Sequence, residues 1–229
     1  MSIPVITIDG PSGSGKGTIA AAIAKKLGFH LLDSGALYRL VGLAAVKRGI
    51  SLDDEAALIP VAGQLEVEFR LSSLPHHIFD VMLGKTDVTD ELRLETSGEY
   101  ASRVAAKPGV RAALLKRQRA MRKPPGLVAD GRDMGTVVFP DATVKVFLTA
   151  SAEERANRRY NQLIHKGESV NLRALMAEIQ FRDARDANRP VAPLKAAEGA
   201  LILDSTSMSI IDVETAILAY AKRAGITPV

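Results

Sequence analysis

The sequence predicts an α/β fold: a five-stranded parallel sheet flanked by helices, carrying one small antiparallel insertion. Three observations predict it. Five short apolar runs occur at 5–8, 30–32, 127–129, 144–148 and 201–203, and strands covered by helices on both faces read as continuous apolar runs. Helical patterns separate these runs, and strands alternating with helices build a parallel sheet. Residues 65–71, Leu-Glu-Val-Glu-Phe-Arg-Leu, break the rhythm. They alternate apolar and charged at period two, as a strand with one solvated face does.

Taken in order, the first run leads into Gly10-Pro11-Ser12-Gly13-Ser14-Gly15-Lys16-Gly17-Thr18, and a helix follows from this loop to Leu27, stopped by Gly28. The alternating segment belongs to an insertion at about 62–95. A weaker strand at about 77–83 comes next, then Gly84-Lys85 as a turn signal and a short run near Val88. His76 and His77 fall in this insertion and read as surface loop residues, with no partners of metal-ligand spacing. Ser151 starts another helix, with Glu154 three residues on as a capping-box signature. A third runs from about Asn171 to near Arg189, since the residue before Pro190 is pushed out of helical backbone. A last helix covers about 209–224.

A chain of 229 residues fits one domain with a modest insertion. Its hydrophobic share of 47% and charged share of 24% are ordinary for a globular protein. No apolar run approaches the roughly 20 residues that a membrane span needs. A signal peptide would consume the apolar start and remove the glycine loop on cleavage. The expectation is a cytoplasmic protein, and the lack of cysteine suits a reducing compartment. The net charge of +4 raises nucleic acids or small phosphorylated molecules as partners. Aromatics are only 4%, too few to build stacking platforms for single strands, and there is no lysine-rich tail. Arginines gather instead between Arg155 and Arg189, which suits a helical region closing on compact phosphates. Small phosphorylated ligands are therefore expected, with neither nucleic acid nor membrane.

The glycine loop sits between a strand and a helix, the context in which such a loop cradles a polyphosphate. Glycines bring backbone N–H groups against phosphate, and the helix N-terminus adds free donors and partial positive charge. Lys16 can reach the terminal phosphates. Gly17 stands where serine or threonine is usual, with Thr18 one further on, so the hydroxyl that normally meets Mg²⁺ is displaced. No protein ligand for the metal is assigned. No asparagine is followed by lysine, so the base-recognition element of GTPases is missing. The third apolar run ends in Asp130-Gly131-Arg132 rather than the Asp-Glu of ATPase motors. An arginine there favours a second anionic substrate over an activated water.

The loop form GxxGxGKGT is typical of nucleoside monophosphate kinases. Together with His30-Leu31-Leu32-Asp33-Ser34-Gly35-Ala36-Leu37-Tyr38-Arg39, Ala129-Asp130-Gly131-Arg132-Asp133-Met134-Gly135-Thr136 and Ala192-Pro193-Leu194, the chain resembles the bacterial cytidylate kinases over nearly its whole length. Adenylate kinases carry DGFPR where this chain has DGRDMG.

The resemblance implies a P-loop kinase fold and a monomer. It implies a monophosphate-binding region at 34–111 that includes the insertion, and a short lid at about 155–170. It implies transfer from ATP, as its Mg²⁺ complex, to CMP or dCMP, with another nucleoside monophosphate such as UMP as the alternative acceptor. The residues of the loop from Gly10 to Thr18, with Arg158 of the lid, would hold the donor. Lys16, Arg132 and Arg189 would be catalytic; Arg39, Arg132 and Arg189 would clamp the acceptor phosphate through planar guanidinium forks. Arg182 and Asp186 would lie near the sugar. Ser102, Arg111 and Asp133 would read the base, an acidic acceptor facing the amine of cytosine. Each has a plainer reading. Arg182 and Asp186, four apart, are also a helix ion pair. Ser34 is also a helix cap, Asp133 a turn residue, and Arg155, Arg158 and Arg159 an exposed basic face.

Overall fold

Strand β1 (Val5–Asp9), buried along its whole length, lies in the middle of a five-stranded sheet. On one side it pairs with β6 (Leu127–Gly131), which pairs in turn with β2 (His30–Asp33). On the other side comes β7 (Val144–Thr149), and then β8 (Leu201–Asp204). All four pairings are parallel, with Ile8 opposite both Asp130 and Val146. Because β1 has later strands on either side, the chain leaves it at a switch point, where open α/β sheets form a crevice at their carboxyl ends. This is a computed structural model, describing residues 3–72, 79–92, 94–165, 167, 169–189 and 191–228.

All five expected strands are present, with one difference in burial. β8 is an edge strand paired only with β7, and Ile202 and Asp204 on it are exposed. Its apolar run therefore does not mark a strand covered on both faces.

Helices α1 (Lys16–Leu27) and α9 (Ile210–Arg223) cover one face around Ile6, Ile8, Ile23, Val146 and Ile217. Helices α2 (Ser34–Lys47), α3 (Glu55–Gly63), α5 (Glu95–Val104) and α6 (Pro108–Ala120) build the other core around Leu37, Leu40, Leu58, Leu114 and Phe139. Leu40 is wholly buried there. Its truncation to alanine is expected to cost about 3 kcal/mol in chemical denaturation.

Helix ends follow their signals. Gly28 closes α1 at φ 67°, Asn171 caps α8 (Leu172–Ala187) by accepting from Ala174, and Ser209 forms a capping box with Asp212. At α7 (Ala152–His165), Ser151 accepts from the Glu154 N–H at 3.1 Å, but the Glu154 carboxylate turns to Arg158 at 2.8 Å rather than back to the cap.

The insertion is an antiparallel sheet of β3 (Val67–Leu71), β4 (Phe79–Leu83) and β5 (Thr86–Asp87), followed by the short α4 (Thr89–Leu92). Phe69 lies opposite Val81, and both pack against the core that holds Leu37 and Leu40. The predicted loop residues His76 and His77, and the first residues of the second predicted strand, lie outside the described residues.

Candidate active site

The crevice at the carboxyl ends of β1, β2 and β6 opens into a cleft of about 1150 Å³. Its floor is the glycine loop. Gly15 takes φ 86° as the residue that starts α1, a left-handed turn open to glycine at no steric cost. Lys16 is buried and donates from Nζ to the Pro11 carbonyl at 3.0 Å. A side chain at Gly17 would begin 3.1 Å from Asp130 Oδ2, so the carboxylate at the end of β6 occupies the space that the usual serine or threonine would take.

Three acids surround this floor. Asp33 ends β2 and caps α2 by accepting from the Ala36 N–H at 2.9 Å, so the cap is Asp33 while Ser34, the first residue of the helix, is buried in the cleft wall. Asp130 is the next-to-last residue of β6; burial raises its pKa, with Lys16 opposing and Asp33 adding repulsion. Burial and the nearby Arg132 lower the pKa of Lys16, against the pull of Asp130 and Asp33. Asp9, at the end of β1, accepts from the backbone N–H groups of Met134 and Gly135, each at 2.8 Å. It thereby ties the turn that carries Arg132 and Asp133 to the central strand.

Burial pushes Asp9 up to about 6. A carboxyl whose folded pKa is raised contributes stability that is complete below the unfolded value of 3.8 and is lost as pH rises through about 6. Denaturation midpoints are expected to show that decline, and Asp9→Asn to show a smaller one, since the buried Asp130 and Asp133 are raised as well.

Opposite the loop, guanidinium groups converge from separate elements. Arg39 on α2 donates to the Leu92 carbonyl at 2.5 Å. Asp186 on α8 holds Arg132 through Nε at 2.8 Å and also pairs with Arg189. Arg111 on α6 pairs with Asp133 and lies over the Tyr38 ring, 5.7 Å from its centroid. Burial raises the pKa of Asp133, opposed first by Arg111. Arg182 pairs with Glu178 and packs beside Gly98 of α5. Ser102 borders the same space. Among the described residues, Ser14 Oγ and Arg189 Nε are buried with no partner.

The cleft thus brings together Ser12, Gly13, Lys16, Gly17, Thr18, Ser34, Arg39, Ser102, Arg111, Arg132, Asp133, Arg182, Asp186 and Arg189. The three arginines of α7 separate. Arg155 is buried, Arg158 bonds to Ser205 at the turn after β8 (2.6 Å to its carbonyl), and Arg159 lines the cleft. Sequence reasoning assigned no role to Asp9, Asp33, Asp130 or Tyr38. The signal for the acids was available: each ends a predicted apolar strand, where an open sheet places its ligand.

The cytidylate kinase family model matches residues 6–223. Over 220 residues the chain is 59% identical to the cytidylate kinase of Aeromonas salmonicida, covering 96% of this chain and 94% of that protein. It is 58% identical over 221 residues to that of Photobacterium profundum, covering 96% of each. Among solved structures, an uncharacterized protein from Eubacterium ventriosum shares the fold with TM-score 0.51 and 9% identity, covering 96% of this chain and 99% of that one. With a phosphate-cradling loop facing a cluster of arginines, and with a match spanning both, this chain belongs to the cytidylate kinase family.

Proposed function

We propose that this kinase transfers the γ-phosphoryl group of ATP to CMP or dCMP, giving ADP and CDP or dCDP. The observation that carries the reading is one cleft with Lys16 on its floor and Arg39, Arg111, Arg132, Arg182 and Arg189 around it. Two polyanionic substrates can face each other there.

The acceptor oxygen is already anionic, so no strong base is required. Catalysis rests on holding the two phosphates in line and neutralising charge as it shifts. The N–H groups of the loop and Lys16 take the donor phosphates. Arg158, beside Ser205, is assigned to the nucleoside end of the donor. Arg39, Arg132 and Arg189 take the acceptor phosphate. Mg²⁺ bound to ATP would neutralise phosphate charge, and Asp33 and Asp130 would offer it the oxygen ligands that a hard cation takes. Arg182 and Asp186 are assigned to the sugar. Residues 34–111 form the acceptor-binding region, and closure of the lid at about 155–170 would exclude water that otherwise wastes ATP.

The Arg111–Asp133 pair and Ser102 support cytosine over uracil. The carboxylate accepts from the amine of cytosine, whereas uracil sets a carbonyl against it. The described residues contain no helix long and apolar enough to cross a membrane, and we assign the enzyme to the cytoplasm as a monomer. Incubation with CMP and γ-labelled ATP is expected to put the label in CDP, in amounts equal to the ADP formed. Label released as inorganic phosphate regardless of CMP would contradict the reading.

A further inference from the structure

Arg155 is given no nucleotide contact in the functional reading above, yet all three of its guanidinium nitrogens are engaged by the protein. Its side chain is 5% exposed. Nε donates to the Ala150 carbonyl at 2.9 Å, and Nη1 to the Ser12 carbonyl of the glycine loop at 2.9 Å. The far edge of the guanidinium meets Asp183 of α8 in a fork, 3.1 Å to Oδ1 and 2.5 Å to Oδ2. The loop lies directly on it: a side chain at Gly13 would begin 3.2 Å from Arg155 Cβ. With its donors used by the protein, Arg155 has little left for a nucleotide.

One turn beyond Asp183 on α8 is Asp186, which holds Arg132 and Arg189. A continuous set of contacts therefore runs from the Ser12 carbonyl through Arg155 and Asp183 to the helix that sets the acceptor arginines. We infer that Arg155 and Asp183 are positioning residues that couple occupancy of the donor loop to the geometry of the acceptor clamp. The inference rests on the two-substrate reading above. A planar fork is suited to this because it fixes direction as well as distance, which a lysine ammonium does not. A loop drawn tight around a triphosphate pulls on Arg155, and α8 follows. Coupling of this kind is reciprocal and changes affinity by roughly 5- to 150-fold in typical cases.

The test compares the Kd of CMP, by calorimetry, with and without a non-hydrolysable ATP analogue and Mg²⁺. Wild type is expected to bind CMP about tenfold tighter with the analogue present. Arg155→Lys and Asp183→Asn should reduce that ratio to near one and raise the KM for CMP at saturating ATP more than they lower kcat. Asp183 is 26% exposed, so its variant keeps the test open where an Arg155 variant folds poorly. A purely structural role would lower stability without touching the ratio. Wild-type coupling in a folded Asp183→Asn protein, or no coupling in wild type, overturns the inference. Failure of wild type to form CDP overturns instead the functional reading beneath it.

Discussion

Lys16→Met is expected to lower kcat about 10³-fold, in the range measured when one preorganised donor to developing charge is removed. The ammonium is the cation on the loop floor nearest the transferring phosphates, and methionine keeps its stem while deleting its charge. The fold should survive. Lys16 is buried among Asp130, Asp33 and Arg132, and removing one partner of a buried charge cluster lowers stability. Burial already raises the pKa of Asp130, so that acid can take up a proton once the ammonium is gone, and the melting temperature should fall without loss of the fold. Steady-state kinetics and a thermal melt on the same preparation check both halves. The wild-type pH profile offers a second view. Burial holds the Lys16 pKa below its ordinary 10.5, and the charged form is the active one. kcat/KM for ATP, which reports the free enzyme, should therefore fall with rising pH well before an ordinary lysine would lose its proton.

Asp133→Asn is expected to reduce the preference for CMP over UMP by about 100-fold, near the upper end for losing one directed contact to a base edge. The carboxylate can only accept, which suits the amine of cytosine; an amide can turn its N–H₂ toward the carbonyl of uracil. The amide oxygen still accepts from Arg111, so the buried guanidinium keeps a partner. The measurement is kcat/KM for each acceptor, and the change should come mostly from a fall with CMP. An unchanged ratio would place base reading elsewhere.

Much of this architecture was legible from the chain alone. The five sheet strands, the α1 terminus at Gly28 and the α9 cap at Ser209 depend on local signals: apolar runs, a left-handed glycine, a hydroxyl three residues before a backbone donor. What the sequence concealed has physical causes. Helix α2 is buried on most sides, from Ala36 through Ala45, so it carries no polar stripe to mark its period. Helix α3 contains Pro60, which reads as an interruption. Edge position in a sheet is a property of topology, so Ile202 gave no sign of its exposure.

The site divides in the same way. Lys16 and its loop are contiguous and could be read directly. The convergence of Arg39, Arg111, Arg132 and Arg189 joins residues up to 150 positions apart in numbering (39 to 189), and their roles came from family resemblance, not spacing. The separate fates of Arg155, Arg158 and Arg159 were invisible, because a spacing of three and four puts Arg155 on one helix face with the other two, and only the tertiary packing around α7 separates them. Arg155 turned under the glycine loop and Arg158 toward Ser205.

The most direct test of the account is the specificity constant of the purified protein for CMP, dCMP, UMP and AMP, each at saturating MgATP, with a control lacking acceptor. The account predicts the highest kcat/KM values for CMP and dCMP, a much lower one for UMP, and negligible ADP formation without an acceptor. A preference for AMP or UMP, or ATP hydrolysis that ignores the acceptor, would contradict it.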